Sequence, residues 1–357
     1  MIGHLVRATG SPCPTLVLDA RRLPDDEPAL LRSLAGIRRE LLAANAGHVL
    51  KIALARPSTH PLFDLDYFFV QVLPGSPDGF ELKGSCGHSI LATAVAAERA
   101  GMISQLAPGA RVRVRVLNTT DSVVCELEQT EHDEARFTAT FVQLSAVPFE
   151  ELLLTGEPVD ALAVDGAAQE VSLVSSGNPY AFVDARTVGI GTSAELFSAG
   201  DALFERLQRV RGAAADRLGL PRTGAFPKIA ALLPEADGAL AARAVSVPRW
   251  HPTLALTGAV CLAAAAGIPD TVPWRLAREH GTEAAAGSLT VVTPASRTVV
   301  SAVSCDTAHG RALTWTAVAH KQVVFQGSLV LDLHADAYDQ RPTAEPEEAT
   351  SWLALSV

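Results

Sequence analysis

Lysine is scarce in this chain of 357 residues. Of its 29 basic residues only Lys51, Lys83, Lys228 and Lys321 are lysines; the others are arginines. A lysine inside an apolar stretch therefore asks for a reason. Positive charge as a whole is short, with 39 acidic residues against 29 basic ones and a formal charge of −10. That balance argues against a sequence-independent nucleic-acid binder, which needs a basic footprint. The opening MIGHLVRATGSPCP lacks a basic segment followed by an apolar one, so no signal peptide is expected. The most apolar run, Leu254 to Ile268, is interrupted by Thr257 and Gly258. It falls short of the ~20 residues that span a bilayer. The cysteines (Cys13, Cys86, Cys125, Cys261 and Cys305) form no CxxC, which argues against a zinc ribbon and a disulfide framework. HExxH and P-loop patterns are missing too. The expectation is a soluble, reduced, cytoplasmic protein with no metal, nucleic-acid or membrane partner.

What is present is a chain of many strands. Alternating segments recur at Thr15–Asp19, His48–Leu54, Tyr67–Leu73, Arg111–Leu117, Ser122–Glu128, Arg136–Leu144, Val171–Val174, Tyr180–Val183, Ser288–Thr293, Thr314–Ala319 and Gln322–Leu331. Helical patterns are fewer: Pro28–Ala44, His88–Ala100, Ala194–Leu218, Gly238–Ala244 and Thr257–Ala266. Few, separated helices among many strands indicate an α+β fold rather than a doubly wound sheet. At about 100–200 residues per domain the length suggests two domains. The segment Thr155–Ala167, rich in proline, glycine and acids, reads as the linker, and the acidic, proline-bearing stretch after residue 335 as a peripheral tail.

Two helices share an entry pattern. Gly84-Ser85-Cys86-Gly87-His88-Ser89 leads into Ile90–Ala100, and His251-Pro252-Thr253 leads through Leu256-Thr257-Gly258-Ala259 into Val260–Ala266. Both helices are alanine-rich without a polar stripe, so both are expected inside sheets. This hints at an internal duplication with one central helix per half. Two such helix N-termini facing one cleft would form a paired anion site.

Cys86 carries the most information. A thiol between glycines at a helix N-terminus is placed where the dipole favours the thiolate, and the glycines allow a ligand close to the backbone. A small buried side chain beside a turn is the alternative. Lys51 lies in the apolar segment His48-Val-Leu-Lys-Ile-Ala-Leu-Ala55. It must snorkel, pair or take a depressed pKa suited to a general base, or else face solvent from a half-buried strand. His88 follows Cys86 too closely to form a dyad with it and reads as a locally satisfied residue or a substrate contact. Gly189-Ile-Gly191-Thr-Ser-Ala194 mimics a dinucleotide fingerprint, but no strand ending in an acid follows, and Thr192 to Glu195 reads as a capping box. His251 and Asn178 are turn residues that would reach the cleft between the halves.

Together these residues resemble the 2-methylaconitate isomerase (PrpF) family, a branch of the diaminopimelate-epimerase-like fold. Gly84-Ser-Cys86-Gly-His88 is similar to that family's Gly-Asn-Cys-Gly-Asn, and Lys51 to its Ser-Lys before an apolar strand. Arg7 and Ser11 fall on its N-terminal Arg and Ser. Thr155-Gly156 through Val174–Phe182, Pro227-Lys228-Ile229 and the run from His251 through Thr257-Gly258 to Thr271 are similar to further family segments. The likeness runs in order from about Leu5 to Leu331.

The resemblance implies two pseudo-symmetric domains, 1–163 with central helix 88–100 and 164–335 with central helix 257–267, followed by a tail, 336–357. Each domain is a mainly antiparallel, barrel-like sheet around its helix, with the active site between them. It implies a cofactor-independent isomerase that moves a proton and a double bond in an unsaturated carboxylate or related carbonyl compound. Lys51 matches the family's base and Cys86 its active-site cysteine. Ser11, Ser85, Gly87, His88, Ser89, Asn178, His251, Thr257 and Gly258 are the implied substrate contacts. The chain departs from the family where Ser85 and His88 replace asparagines, where Ala46–Leu50 is apolar, and where Gln322 replaces an arginine. These losses favour a substrate less charged than a tricarboxylate, such as a secondary-metabolite intermediate. An epimerase, tautomerase or cyclase of the same fold, or a non-catalytic ligand-binding relative, remains the alternative. The partner expected is a small molecule, with a homodimer left open.

Overall fold

The computed structural model describes residues 1–332 except 74, 75, 77, 247, 248, 280–286 and 309. The tail 336–357 lies outside the described residues. Contacts divide the chain into two units. The first comprises Met1–Thr9, Cys13–Phe137 and the chain from Lys321 onward; the second comprises Gly10–Pro12 and Thr138–His320.

The first unit is built from β1 (Ile2–Ala8), β2 (Thr15–Asp19), α1 (Glu27–Ala43), β3 (Lys51–Pro57), β4 (Leu65–Val72), β5 (Phe80–Glu81), α2 (Gly87–Arg99), β6 (Arg111–Val116), β7 (Ser122–Glu131) and the start of β8 (Glu134–Pro148). Neighbouring strands run antiparallel except for two parallel pairs, β2 with β3 and β4 with β6. The helix α1 starts where expected, with Asp26 capping Ala29 N–H at 2.9 Å and Pro28 in the first turn. Its apolar stripe of Leu30, Leu34, Ile37 and Leu41 packs on Leu16, Leu18, Ile52, Leu54, Phe68 and Val70. The other helix, α2, contacts β1, β2, β3 and β4 and is buried from Gly87 to Ala97. With a helix against each face, the short strands β2 and β3 are buried almost throughout.

The second unit repeats this order. After α3 (Phe149–Leu152) come β9 (Asp160–Val164), β10 (Ala167–Ser176), β11 (Asn178–Asp184), α4 (Ser193–Ser198), α5 (Asp201–Arg217), β12 (Lys228–Pro234), β13 (Leu240–Ser246), β14 (Arg249–Trp250), α6 (Leu256–Gly267), α7 (Val272–Ala277), β15 (Ser288–Thr293), β16 (Ser296–Thr307) and β17 (Gly310–Val330). Again two pairs are parallel, β11 with β12 and β13 with β15. The helix α5 packs against β9, β12 and β13, its Leu203, Leu207, Val210 and Ala214 sharing one apolar core with Val171, Leu173, Val183 and Ile229, and α6 is buried from Leu256 to Ala266. The duplication read from the two helix entries is thus a duplication of strand order and parallel pairs as well. From β16, β17 runs back antiparallel and ends along β1. Together with the pairings of β8, it closes the first unit's strands into a barrel.

Several sequence expectations are corrected. Gly238–Ala244 is a strand, not a helix: Ala241, Ala242 and Ala244 are buried between β12 and β15, so sheet packing overrides the helix preference of alanine. Ala194–Leu218 is two helices, broken at Ala199-Gly200; the first opens on the expected capping box of Thr192 and Glu195. Thr155–Ala167 is no plain linker. It contains β9, pinned where Asp160 accepts hydrogen bonds from Thr155 and Arg217 at 2.7 and 2.9 Å. The contact division runs through β8 and β17, whereas the sequence reading put the change of domain at 163/164. Among the described residues no single helix is long and apolar enough to cross a membrane.

Candidate active site

In the first unit the candidate residues converge on the N-terminus of α2. Lys51 opens β3, its backbone level with Thr15 of the parallel neighbour β2. It is only 6% exposed, so the solvent-facing alternative for this lysine is ruled out. Cys86 is the N-cap of α2; its backbone is extended and its side chain makes no capping bond to the first turn. Ser85, His88 and Ser89 are buried beside it. The Ser89 hydroxyl lies 2.8 Å from that of Thr15, which ties the first turn of α2 to the strand next to Lys51. From β4, Tyr67 donates to the Cys86 carbonyl at 3.3 Å. Burial lifts the Tyr67 pKa well above its ordinary value, so the hydroxyl stays a donor at physiological pH.

Cys13, in the turn before β2, completes the group, and sequence reasoning passed over it. Burial raises the pKa of its thiol, the Lys51 ammonium pulls it down, and the Cys86 thiol raises it further. Cys13 therefore feels both proposed proton carriers. The signal in the sequence was slight: a lone cysteine in Ser11-Pro-Cys-Pro14 ahead of an apolar strand.

The second unit places its candidates around α6 in the same way. Asn178 opens β11 and is fully buried; its Nδ2 donates to Thr257 Oγ1 at 3.2 Å. It is a strand residue rather than a turn residue. Thr257 and Gly258 lie in the first turn of α6, whose N-cap is Ala255. A side chain on Gly258 would overlap Tyr180, with the new Cβ 2.6 Å from the ring Cζ. His251 is buried, and its Nδ1 accepts the Thr253 N–H at 3.2 Å. Thr253 Oγ1 in turn donates to the Gly10 carbonyl at 3.1 Å. Gly10 has φ +85°, and Ser11 follows it, buried. Lys228 opens β12 opposite Tyr180, its Nζ 5.6 Å from the Phe226 ring centroid. Lys51, Ser85, Cys86, Gly87, His88 and Ser89 thus belong to the first unit, and Ser11, Asn178, His251, Thr257 and Gly258 to the second.

Of the remaining lysines, Lys83 is exposed. Lys321 is not a plain surface residue: it is partly buried, and burial lowers its pKa. Among the described residues no group of three or more His, Cys, Asp or Glu side chains is placed to hold a metal ion.

A buried lysine and a thiol at an uncapped helix N-terminus can hold an anion and handle a proton beside it. Comparison with known proteins gives the family of the chain. Residues 42–311 match the family described as PrpF protein, and the chain belongs to that family. It is an isomerase with the α+β, diaminopimelate-epimerase-like fold. The 3-methylitaconate isomerase of Eubacterium barkeri is 27% identical over 274 residues, which cover 65% of this chain and 71% of that protein. The solved structure of a methylitaconate-delta-isomerase superposes with a TM-score of 0.66 at 21% identity, covering 96% of this chain and 99% of that one. A hydroxyproline epimerase from Agrobacterium vitis superposes with a TM-score of 0.61 at 17% identity, covering 92% and 90%.

Proposed function

We propose that this isomerase moves a proton, and with it a carbon–carbon double bond, within an unsaturated carboxylate or related carbonyl compound. The observation that carries the reading is Lys51 buried at the head of β3, next to Thr15, whose hydroxyl meets the first turn of α2, the helix that starts at Cys86. Lys51 in its amine form takes the acidified allylic proton. The electron pair left behind spreads into the carbonyl as a dienolate. The backbone N–H groups of the first turn, at Gly87 and His88, and the helix dipole stabilise the developing oxyanion, an effect typically worth a few kcal/mol. The Cys86 thiol then delivers a proton to the far carbon of the allyl system, and the double bond has moved by one position. Transfer of the proton from the Lys51 ammonium to the thiolate restores both groups.

Ser85, Gly87, His88 and Ser89 are proposed to hold the substrate at this helix end. In the second unit, Thr257 and Gly258 with Asn178, and Ser11 with His251, are proposed as a further set of substrate contacts. A thiol-to-thiol epimerisation is less well supported, because the N-cap of α6 is Ala255 where that of α2 is Cys86. The acting form is proposed to need no cofactor and to work in the cytoplasm on a small molecule.

The test is a panel of unsaturated mono-, di- and tricarboxylates, 3-methylitaconate among them, incubated in deuterated water and followed by NMR. An allylic shift puts deuterium on the carbon that loses the double bond. Exchange at a saturated stereocentre alone would identify an epimerase instead.

A further inference from the structure

The second unit holds a cavity of about 240 Å3 at the C-terminal end of α6, far along that helix from Thr257 and Gly258. The last turns of α6 are alanine and glycine and leave the space open. Phe149, Leu289, Val303 and Leu313 form apolar walls, and two guanidinium groups, Arg278 and Arg311, face the same space. Among the described residues that line it, none carries an acidic side chain.

Two like charges on one partly apolar cavity repel each other unless an anion lies between them. Arg278 is held in place by its own contacts. It donates to the Ala266 carbonyl at 3.0 Å and its guanidinium lies 4.6 Å from the Trp274 ring centroid. The bond to Ala266 also offsets the negative end of the α6 dipole, which would otherwise disfavour an anion here. Burial lowers the Arg278 pKa, and the charge of Arg311 lowers it further. Arg311 donates to Ser304 Oγ at 2.8 Å and passes 5.9 Å from the Phe149 ring centroid. Its acidic neighbour, Asp306, is 3.7 Å away on the open surface, where solvent screens the pair.

We propose that this cavity binds a small organic carboxylate, its charged group bridging Arg278 and Arg311 and its apolar body against Phe149, Leu289, Val303 and Leu313. The guanidinium fork suits carboxylate and phosphate alike, but a bare phosphate would leave the apolar walls unfilled. The volume lies below the roughly 300–1,000 Å3 of sites for drug-sized ligands, so the occupant is a small metabolite. The site uses neither Lys51 nor Cys86.

Calorimetric titration of the full chain with benzoate tests the proposal, with benzamide and inorganic phosphate as comparison probes. Benzoate should bind saturably at one site. Arg311→Met, at a surface-exposed position, should weaken that binding at least tenfold without lowering the melting temperature, and Arg311→Gln should do the same. Lys51→Met should leave it unchanged. Benzamide, with the ring but no charge, and phosphate, with the charge but no ring, should each bind at least tenfold more weakly. The proposal fails if benzoate gives no saturable binding or if either Arg311 variant binds it as tightly as the parent. It fails equally if Lys51→Met removes the binding, or if benzamide or phosphate binds as well as benzoate.

Discussion

Lys51 and Lys228 hold the same place in two copies of one strand arrangement. Each opens a strand that pairs in parallel with an earlier one, Thr15 standing opposite Lys51 and Tyr180 opposite Lys228. In the first copy the Thr15 hydroxyl meets Ser89, in the first turn of the central helix, at 2.8 Å. In the second copy the larger Tyr180 fills that space, and the helix answers with Gly258, which has no side chain. Four scarce lysines thus include a structurally equivalent pair, of which only Lys51 is fully buried.

Gly258→Ala should therefore destabilise the protein, because the added methyl overlaps Tyr180 in a packed core. A loss of about 1–3 kcal/mol is expected, as for other overpacked sites, read from the midpoint of urea unfolding. Adding Tyr180→Phe should not restore stability, since the ring carbon Cζ remains 2.6 Å from the new methyl carbon.

The cysteines should react in a fixed order with a thiol-alkylating reagent under native conditions, followed by mass spectrometry. Cys305, the exposed one, is labelled first. Cys125 and Cys261 resist until the protein unfolds, because burial pushes both thiols up to about 12. Cys13 lies between these limits. Lys51→Met removes the charge that lowers its pKa and should slow its labelling further.

Asp121, in the turn joining β6 to β7, bonds to the Thr119 hydroxyl at 2.5 Å and is raised by burial from 3.8 to about 6. Its folded state thus favours the protonated form. The linkage makes this residue neutral to stability below about pH 4 and increasingly costly as pH rises through 6. Asp121→Asn should match the parent at pH 3.5 and exceed it at pH 7, by up to about 3 kcal/mol. Unfolding curves across that pH range measure the difference, and a constant offset at every pH would contradict the assignment.

How much of this was legible in the sequence depended on whether local pattern or tertiary packing decided each element. The helices α2 and α6 could be read because an alanine-rich segment without a polar stripe has to be buried, and the capping box at Thr192 because its bonds are local. The strand Leu240–Ser246 was misread as helix because its alanines show helix preference, while what buries them lies outside the segment: β12, which folds back on it as a hairpin, and β15, from far along the chain. Lys51 could be picked out as unusual, but its burial could not: a strand covered on both faces has no alternation to show which way a side chain points. Cys13, Arg278 and Arg311 were missed because their meaning lies in long-range neighbours.

The role of Lys51 is tested most directly by solvent-deuterium incorporation into a substrate that the parent enzyme isomerises, compared between the parent, Lys51→Met and Cys86→Ser. The account predicts that Lys51→Met loses exchange and turnover together, by at least a thousandfold, with an unchanged melting curve. Cys86→Ser should lose turnover while keeping the fold. Full exchange and turnover in Lys51→Met on that substrate would contradict the assignment of Lys51 as the base.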